Sequence, residues 1–235
     1  MKKILFIIMC LLITTSLFAM DIKTGGNIGL NGSANTGSDW QKPIKDSGFS
    51  NEVKLGFEMG AFWEIPINDL FSVQPEINFL LVRAGYSGTD HREGFDGYTY
   101  TPYTVDIKFS QTLKILEIPV LAKLNFGTKT KFFLLAGPIV EIILGDVTTN
   151  WEENENTYSG FFGYTAYDKH DYVSSPDNRF ILGGTVGLGF SIPTSEGRFI
   201  LDLRYRTTFT KIFNNDNTMV NTVGLRIGYG VDIEL

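Results

Sequence analysis

Three features of this 235-residue sequence predict one fold: an all-β, eight-stranded, antiparallel up-and-down transmembrane β-barrel with short periplasmic turns and long extracellular loops. Apolar residues recur at every second position, so one face of each extended segment is greasy and the other is not. The connections between these segments alternate between short and long. Aromatic residues stand in pairs beside the short ones.

Residues 1–19 are set apart from that pattern. Lys2 and Lys3 precede an apolar run from Ile4 to Ile13, and the stretch ends at Ala19. A charged start, a short apolar stretch and a small residue at the cut predict a cleaved export signal, leaving 20–235 as the barrel domain. The run is shorter than the ~20 apolar residues a membrane helix needs. The only cysteine, Cys10, lies inside it, so the exported chain is expected to hold no disulfide. Loss of Lys2 and Lys3 lowers the basic residues from 20 to 18 against 26 acidic ones, a formal charge of −8. Such a balance, with no basic patch, excludes a nucleic-acid partner. No second long apolar run follows, so a membrane crossing has to be made by strands closed on themselves.

The strands follow in order. Ile22–Ser33 is glycine-rich and turns Ile28 and Leu30 outward; Glu52–Ile65 sets Val53, Leu55, Phe57, Met59 and Trp63 against Glu52, Lys54, Glu58 and Glu64. Phe71–Tyr86 opposes Phe71, Val73, Ile77 and Phe79 to Gln74, Glu76 and Asn78. In Tyr103–Phe126 the apolar residues move from odd positions (Val105, Ile107, Phe109) to even ones (Leu116, Ile118, Val120), which predicts a β-bulge near Leu113–Leu116. Lys131–Gly145, Arg179–Ile192 and Arg198–Lys211 repeat the clean alternation. Thr218–Leu235 extends it furthest: of its nine odd positions from Met219 to Leu235, only Asn221 is polar. That span exceeds the usual sandwich strand and suits a tilted bilayer crossing.

Three connections are tight: Pro66–Leu70, Gly127–Thr130 and Pro193–Gly197. They alternate with Ala34–Phe49, Ser87–Pro102, Asp146–Asn178 and Ile212–Asn217. The asymmetry is that of outer-membrane barrels, with the short side periplasmic. Trp63 and Phe71, Phe126 and Phe132, and Phe190 and Phe199 flank the three tight turns on the outward phase, where an interfacial girdle belongs.

Several short pieces then carry a family resemblance: GFEMGAFWEIP at Gly56–Pro66 followed by Asn68-Asp69, FSVQPE at Phe71–Glu76, LEIPVL at Leu116–Leu121, LAGP at Leu135–Pro138, GTVGLGF at Gly184–Phe190 and DLRY at Asp202–Tyr205. In order and spacing the chain resembles the PorT-like outer-membrane β-barrel proteins, small barrels related in architecture to OmpX and OmpA. The resemblance implies an integral protein of the outer membrane of a diderm bacterium. It implies little about activity, because fold does not carry function.

The inward phase collects Glu58, Glu64, Glu76, Glu117, Glu141, Asp202, Lys123, Arg204, Arg206 and Arg226. An ion path is one reading. A salt-bridged plug is the preferred one, since eight strands leave room only for side chains and an unpaired buried ion costs several kcal/mol. No residue is assigned to catalysis, a cofactor or a metal. The two histidines, His91 and His170, fall in long connections, with Ser87, Ser174 and Ser175 as the nearest hydroxyls. The segment Asp146–Asn178 is a candidate binding loop through Trp151, Tyr158, Phe161, Phe162, Tyr164 and Tyr167, because aromatic residues concentrate at binding hot spots. The expected role is therefore non-enzymatic, structural or interactive: a filled barrel, solvated by outer-membrane lipid, that offers its surface loops to a protein or host ligand. A narrow pore ranks next, then an outer-leaflet lipid-modifying enzyme, then a soluble ligand-binding barrel.

Overall fold

A computed structural model describes residues 22–36, 49–95, 100–159, 162–213 and 219–233. The expected export signal, 1–19, lies outside them. Every regular element among the described residues is a strand: β1 (Ile22–Thr36), β2 (Ser50–Glu52), β3 (Lys54–Pro66), β4 (Phe71–Phe95), β5 (Tyr100–Phe126), β6 (Lys131–Ile143), β7 (Val147–Ser159), β8 (Phe162–Ser174), β9 (Phe180–Pro193), β10 (Arg198–Thr208) and β11 (Met219–Ile233).

Eight of them close a ring. Each pairs antiparallel with the next in the order β1, β3, β4, β5, β6, β9, β10, β11, and β11 returns to β1. The closing seam runs from Ile22↔Ile233 to Thr36↔Met219 without a break. Closure satisfies every ladder with another strand of the ring, which is the condition for placing backbone in hydrocarbon. Residues facing the inside are buried, and the alternate ones (Leu30, Leu55, Leu134, Leu188, Leu225 among them) stay exposed on the outside. In water such a surface would be a large apolar liability. Facing acyl chains, it is the correct solvent match.

The predicted bulge in β5 is absent. Partners on β4 and β5 keep one register from Phe71↔Leu124 to Phe95↔Tyr100, and odd residues of β5 face inward throughout. The apolar residues change face because the surroundings change along the strand: Glu117 and Lys123 point into a charged zone of the lumen, Leu113 and Ile115 into an apolar one, and Val105 and Ile107 are buried on the same face of the sheet beyond the ring. The irregularity sits on the neighbouring chain segment instead. Between Ile143↔Ile115 and Thr148↔Thr112, β5 advances three residues while β6–β7 advances five. Gly145, at φ 75°, takes up the excess there in a left-handed conformation that glycine tolerates without steric cost.

Two expected long loops prove to be sheet. Ser87–Pro102 is mostly the far end of the β4–β5 hairpin, and Asp146–Asn178 contains the β7–β8 hairpin, whose β7 pairs with β5 from Tyr103↔Thr157 to Thr112↔Thr148. At 25 and 27 residues, β4 and β5 are each about 80–90 Å long at ~3.3 Å per residue, far more than the 9–11 residues that cross a bilayer. Beyond the ring they continue as a sheet in the order β2-β4-β5-β7-β8. Of the other long connections, β1 extends to Thr36, and 37–48 and 214–218 lie outside the described residues.

Candidate functional site

Two places could carry a function: the lumen and the protruding sheet. The lumen is filled in layers. Nearest the short turns, Lys123 Nζ donates to Glu64 Oε2 at 2.9 Å and Gln74 Oε1 at 3.0 Å, while Ser72 donates to Glu64 Oε1 at 3.1 Å. Phe62, Leu121, Phe133, Leu135 and Ile200 pack as an apolar layer above, with the Lys123 ammonium 4.4 Å from the Phe133 ring centroid.

The next layer is ionic. Arg204 donates to both oxygens of Glu76 at 2.8 and 2.7 Å and to both oxygens of Asp202 at 3.1 and 3.3 Å. Arg226 closes the box, donating to Asp202 at 3.0 and 2.8 Å and to Glu76 Oε2 at 3.1 Å. Bidentate charge-assisted bonds of this kind are the strong ones. Gln74 and Asn78 also donate to Glu76, at 2.6 and 3.0 Å, and Asn78 bridges to Glu117 at 2.9 Å. Arg206 is held differently. It forms ion pairs with Glu58 at 2.6 Å and Glu117 at 3.1 Å, less well aligned than the bidentate bonds of the box. Glu141 completes this level, buried and directly opposite Glu117 in the β5–β6 ladder.

Above the charges, Leu80, Val82, Leu113, Ile115, Ile143, Val147 and Ile181 form a second apolar layer with Ile212 and Val220, and Phe213 packs against it. Ile212 belongs to the β10–β11 connection. That connection is pinned to the start of β9 by Asn178 N donating to Ile212 O at 3.0 Å and Phe209 N to Leu182 O at 2.7 Å. Where Asn27, Lys123, Asp202 and Arg226 meet, the enclosed space is about 10 Å³, about enough for one water. All ten charged residues of the inward phase are therefore buried inside the ring. What sequence reasoning missed is their division into a bidentate box and a second cluster around Arg206, Glu58 and Glu117, and the two apolar layers that bracket them. The apolar bracket had a signal in the phase change along β5.

The six expected interfacial aromatics all lie on the outer surface toward the short-turn end. Phe126 is opposite Phe132, and Phe132 is opposite Phe190 with ring centroids 6.5 Å apart. Trp63, Phe126, Phe132 and Phe199 are exposed, and Phe71 and Phe190 are half-buried.

On the protruding sheet, rings form a row across the strands. Phe49 stacks on Tyr86 at 5.8 Å, Tyr86 on Phe109 at 4.7 Å, and Phe109 meets Trp151 edge-on at 5.8 Å. His170 stands opposite Trp151, 6.0 Å from Tyr172. Of the candidate binding residues, Trp151 is thus half-buried in this row, and Tyr167 is exposed on β8. Tyr158, Phe162 and Tyr164 are placed only by register, in the pairs Tyr158↔Gly163, Ser159↔Phe162 and Thr157↔Tyr164. Phe161 lies outside the described residues.

Charge pairs brace the sheet. Arg92 bonds Asp90 at 2.9 Å and reaches Glu153 at 3.7 Å, and Lys169 reaches Glu152 at 3.4 Å. A hydrogen bond to Glu152 holds the Lys169 ammonium above its ordinary pKa, and bonds from Lys54 and Ser87 hold the Glu52 carboxyl below its own. Among the described residues neither histidine is joined to a serine. His170 bonds Asp168 at 2.7 Å, Ser87 donates to Glu52, and Ser175 donates to Asp146 at 2.8 Å. Among the described residues no group of three or more metal-ligating side chains converges.

Solved structures similar to this chain include OprG from Pseudomonas aeruginosa (15 % identity, 92 % of this chain and 97 % of that one, TM-score 0.46). Neisserial surface protein A is another (13 %, 90 % and 97 %, 0.44), and so is Ail, the attachment invasion locus protein of Yersinia pestis (12 %, 90 % and 99 %, 0.37). No curated protein matches the chain. The model of the outer membrane protein beta-barrel domain matches residues 18–214, and the chain belongs to that family, as an integral β-barrel protein of the outer membrane.

Proposed function

We propose that this barrel is a non-enzymatic surface-interaction protein of the cell envelope: the ring anchors, and the sheet beyond it engages another protein or a host ligand. One observation carries the reading. β8 ends the sheet order and pairs only with β7 among the described residues, so its outer edge offers backbone donors and acceptors to an added strand. Tyr167, Tyr172 and Val173 stand exposed along it. Aromatic groups beside an open ladder supply contact area, and the ladder supplies direction. Within the wider family, the ordered motifs from Gly56 to Tyr205 favour the PorT-like group.

The test shortens the sheet without touching the ring. Thr149 and Tyr172 are opposite each other, so residues 150–171 can be replaced by Asn-Gly, which closes a two-residue hairpin. Cells carrying the full-length protein are expected to adhere to like cells and to protein-coated surfaces above the level of cells without it. The shortened variant is expected to lose that gain while keeping the heat-dependent gel shift of a folded barrel. Equal adherence by both forms would refute the assignment.

A further inference from the structure

Residues 167–173 of β8 are all exposed, and among the described residues no strand meets the outer edge of this run. An edge of this kind invites another strand. The β7–β8 register sorts its side chains: odd positions share the face of Glu152, and even positions share the face of Trp151 (Lys169↔Glu152, His170↔Trp151).

The run is complementary to its own reverse. In an antiparallel pair related by a two-fold axis, one residue stands opposite its own copy, and its neighbours oppose each other in mirror order. With His170 at the axis, Lys169 is opposite the partner's Asp171, and Asp171 is opposite the partner's Lys169. Tyr167 is opposite the partner's Val173 on that same face, an aromatic against a β-branched side chain, and this contact also occurs twice. On the other face Asp168 is opposite the partner's Tyr172, a carboxylate beside a phenol. Opposite charges and aromatic–β-branched pairs stabilise a ladder, whereas like charges directly opposite destabilise it. The neighbouring registers fail on that ground, since an axis at Asp168, Lys169 or Asp171 sets two like charges face to face. Histidine, neutral in the formal charge count at pH 7, carries no such penalty. Lys169 also keeps Glu152 of its own β7 at 3.4 Å, so pairing places the ammonium between two carboxylates.

We propose that the β8 edge takes a second copy of this chain, joined antiparallel about a two-fold axis at His170. The inference rests on the reading of β8 as an edge that engages a partner, and it names that partner. Because the paired strands run in opposite senses, the two rings lie at opposite ends of the joined sheet, the arrangement of two facing membranes.

Sedimentation velocity of the purified full-length barrel in detergent tests the pairing, and clustering of proteoliposomes tests the facing arrangement. The wild type is expected to dimerise and to cluster liposomes. Lys169→Asp and Asp171→Lys each turn both charge pairs into like pairs, and each is expected to weaken the dimer about tenfold. Mixed in equal amounts, the two variants restore both pairs in a heterodimer, and association is expected to return to the wild-type level. The double variant Lys169→Asp/Asp171→Lys is expected to recover it as well. Recovery on mixing also separates lost pairing from misfolding, which the gel shift checks for each variant. A wild type that stays monomeric, or association that neither variant weakens, would overturn the self-pairing. Loss in both single variants with no recovery on mixing or in the double variant would overturn the register centred on His170. A monomeric wild type whose adherence is still lost when residues 150–171 are replaced would keep β8 as a docking edge and overturn only the second copy as its partner.

Discussion

At the scale of single residues, Arg204 and Glu141 are both buried charges of the lumen but differ in their partners, and their substitutions should differ accordingly. Arg204 is fully buried and makes four hydrogen bonds to Glu76 and Asp202. Arg204→Met leaves Arg226 as the one cation bonded to the two carboxylates, and is expected to cost about 3–5 kcal/mol. Glu141 stands opposite a like charge, Glu117, and a direct cross-strand like pair is destabilising. Glu141→Gln should therefore leave stability unchanged or raise it by up to about 1 kcal/mol. Urea unfolding in lipid vesicles, followed by the gel shift, measures both; an Arg204→Met loss no larger than the Glu141→Gln change would refute the division of the core. The sequence showed these charges to share the inward phase. It could not show which pairs meet, because partners such as Glu76 and Arg204 come together only when the ring closes over 128 positions of chain.

At the scale of strands, β10 carries Asp202, Arg204 and Arg206 inward, and its neighbours answer with glycine. Asp202 is opposite Gly189, Arg204 is opposite both Gly187 and Gly224, and Ile200 is opposite Gly228. A Cβ at Gly189 would lie 2.5 Å from Phe133 and 2.8 Å from Asp202; one at Gly224 would lie 2.8 Å from Glu58 and 3.1 Å from Arg206. Large against small is how a narrow lumen reaches interior density, and overpacking it costs about 1–3 kcal/mol. On the outer face the penalty is chemical instead. Leu225→Arg, at a side chain 52 % exposed on β11, should cost about 2–4 kcal/mol, and Val173→Arg on β8 close to nothing. Equal tolerance at the two sites, by the same unfolding measurement, would contradict the placement of the membrane. The eight ring strands were legible because lipid on one side and a packed lumen on the other impose a period of two. β7 and β8 were not, since water bathes a protruding hairpin and residues such as Glu152–Asn156 show no greasy face. The phase change in β5 was visible but misassigned: a pattern of hydrophobicity reports the environment on each face, and a lumen that turns from ionic to apolar imitates a bulge.

For the whole molecule, the layers decide whether anything passes through. An ion entering from the short-turn side meets the Glu64–Lys123 pair, then an apolar layer, then the box of Glu76, Asp202, Arg204 and Arg226, then a second apolar layer closed by Ile212 from the β10–β11 connection. Moving it means either breaking bidentate pairs or stripping its water among aliphatic side chains, and both are costly in a low dielectric. The layers are also redundant. Removing one charge should destabilise the ring before it opens a path, because the apolar layers on both sides remain. Planar-bilayer recordings are therefore expected to show no discrete unitary steps from the wild type, nor from Arg204→Met refolded into the same lipid. Steps of fixed size from the wild type that change with Arg204→Met would mean that the box lines a conducting path, and the lumen would then be the functional site in place of the sheet.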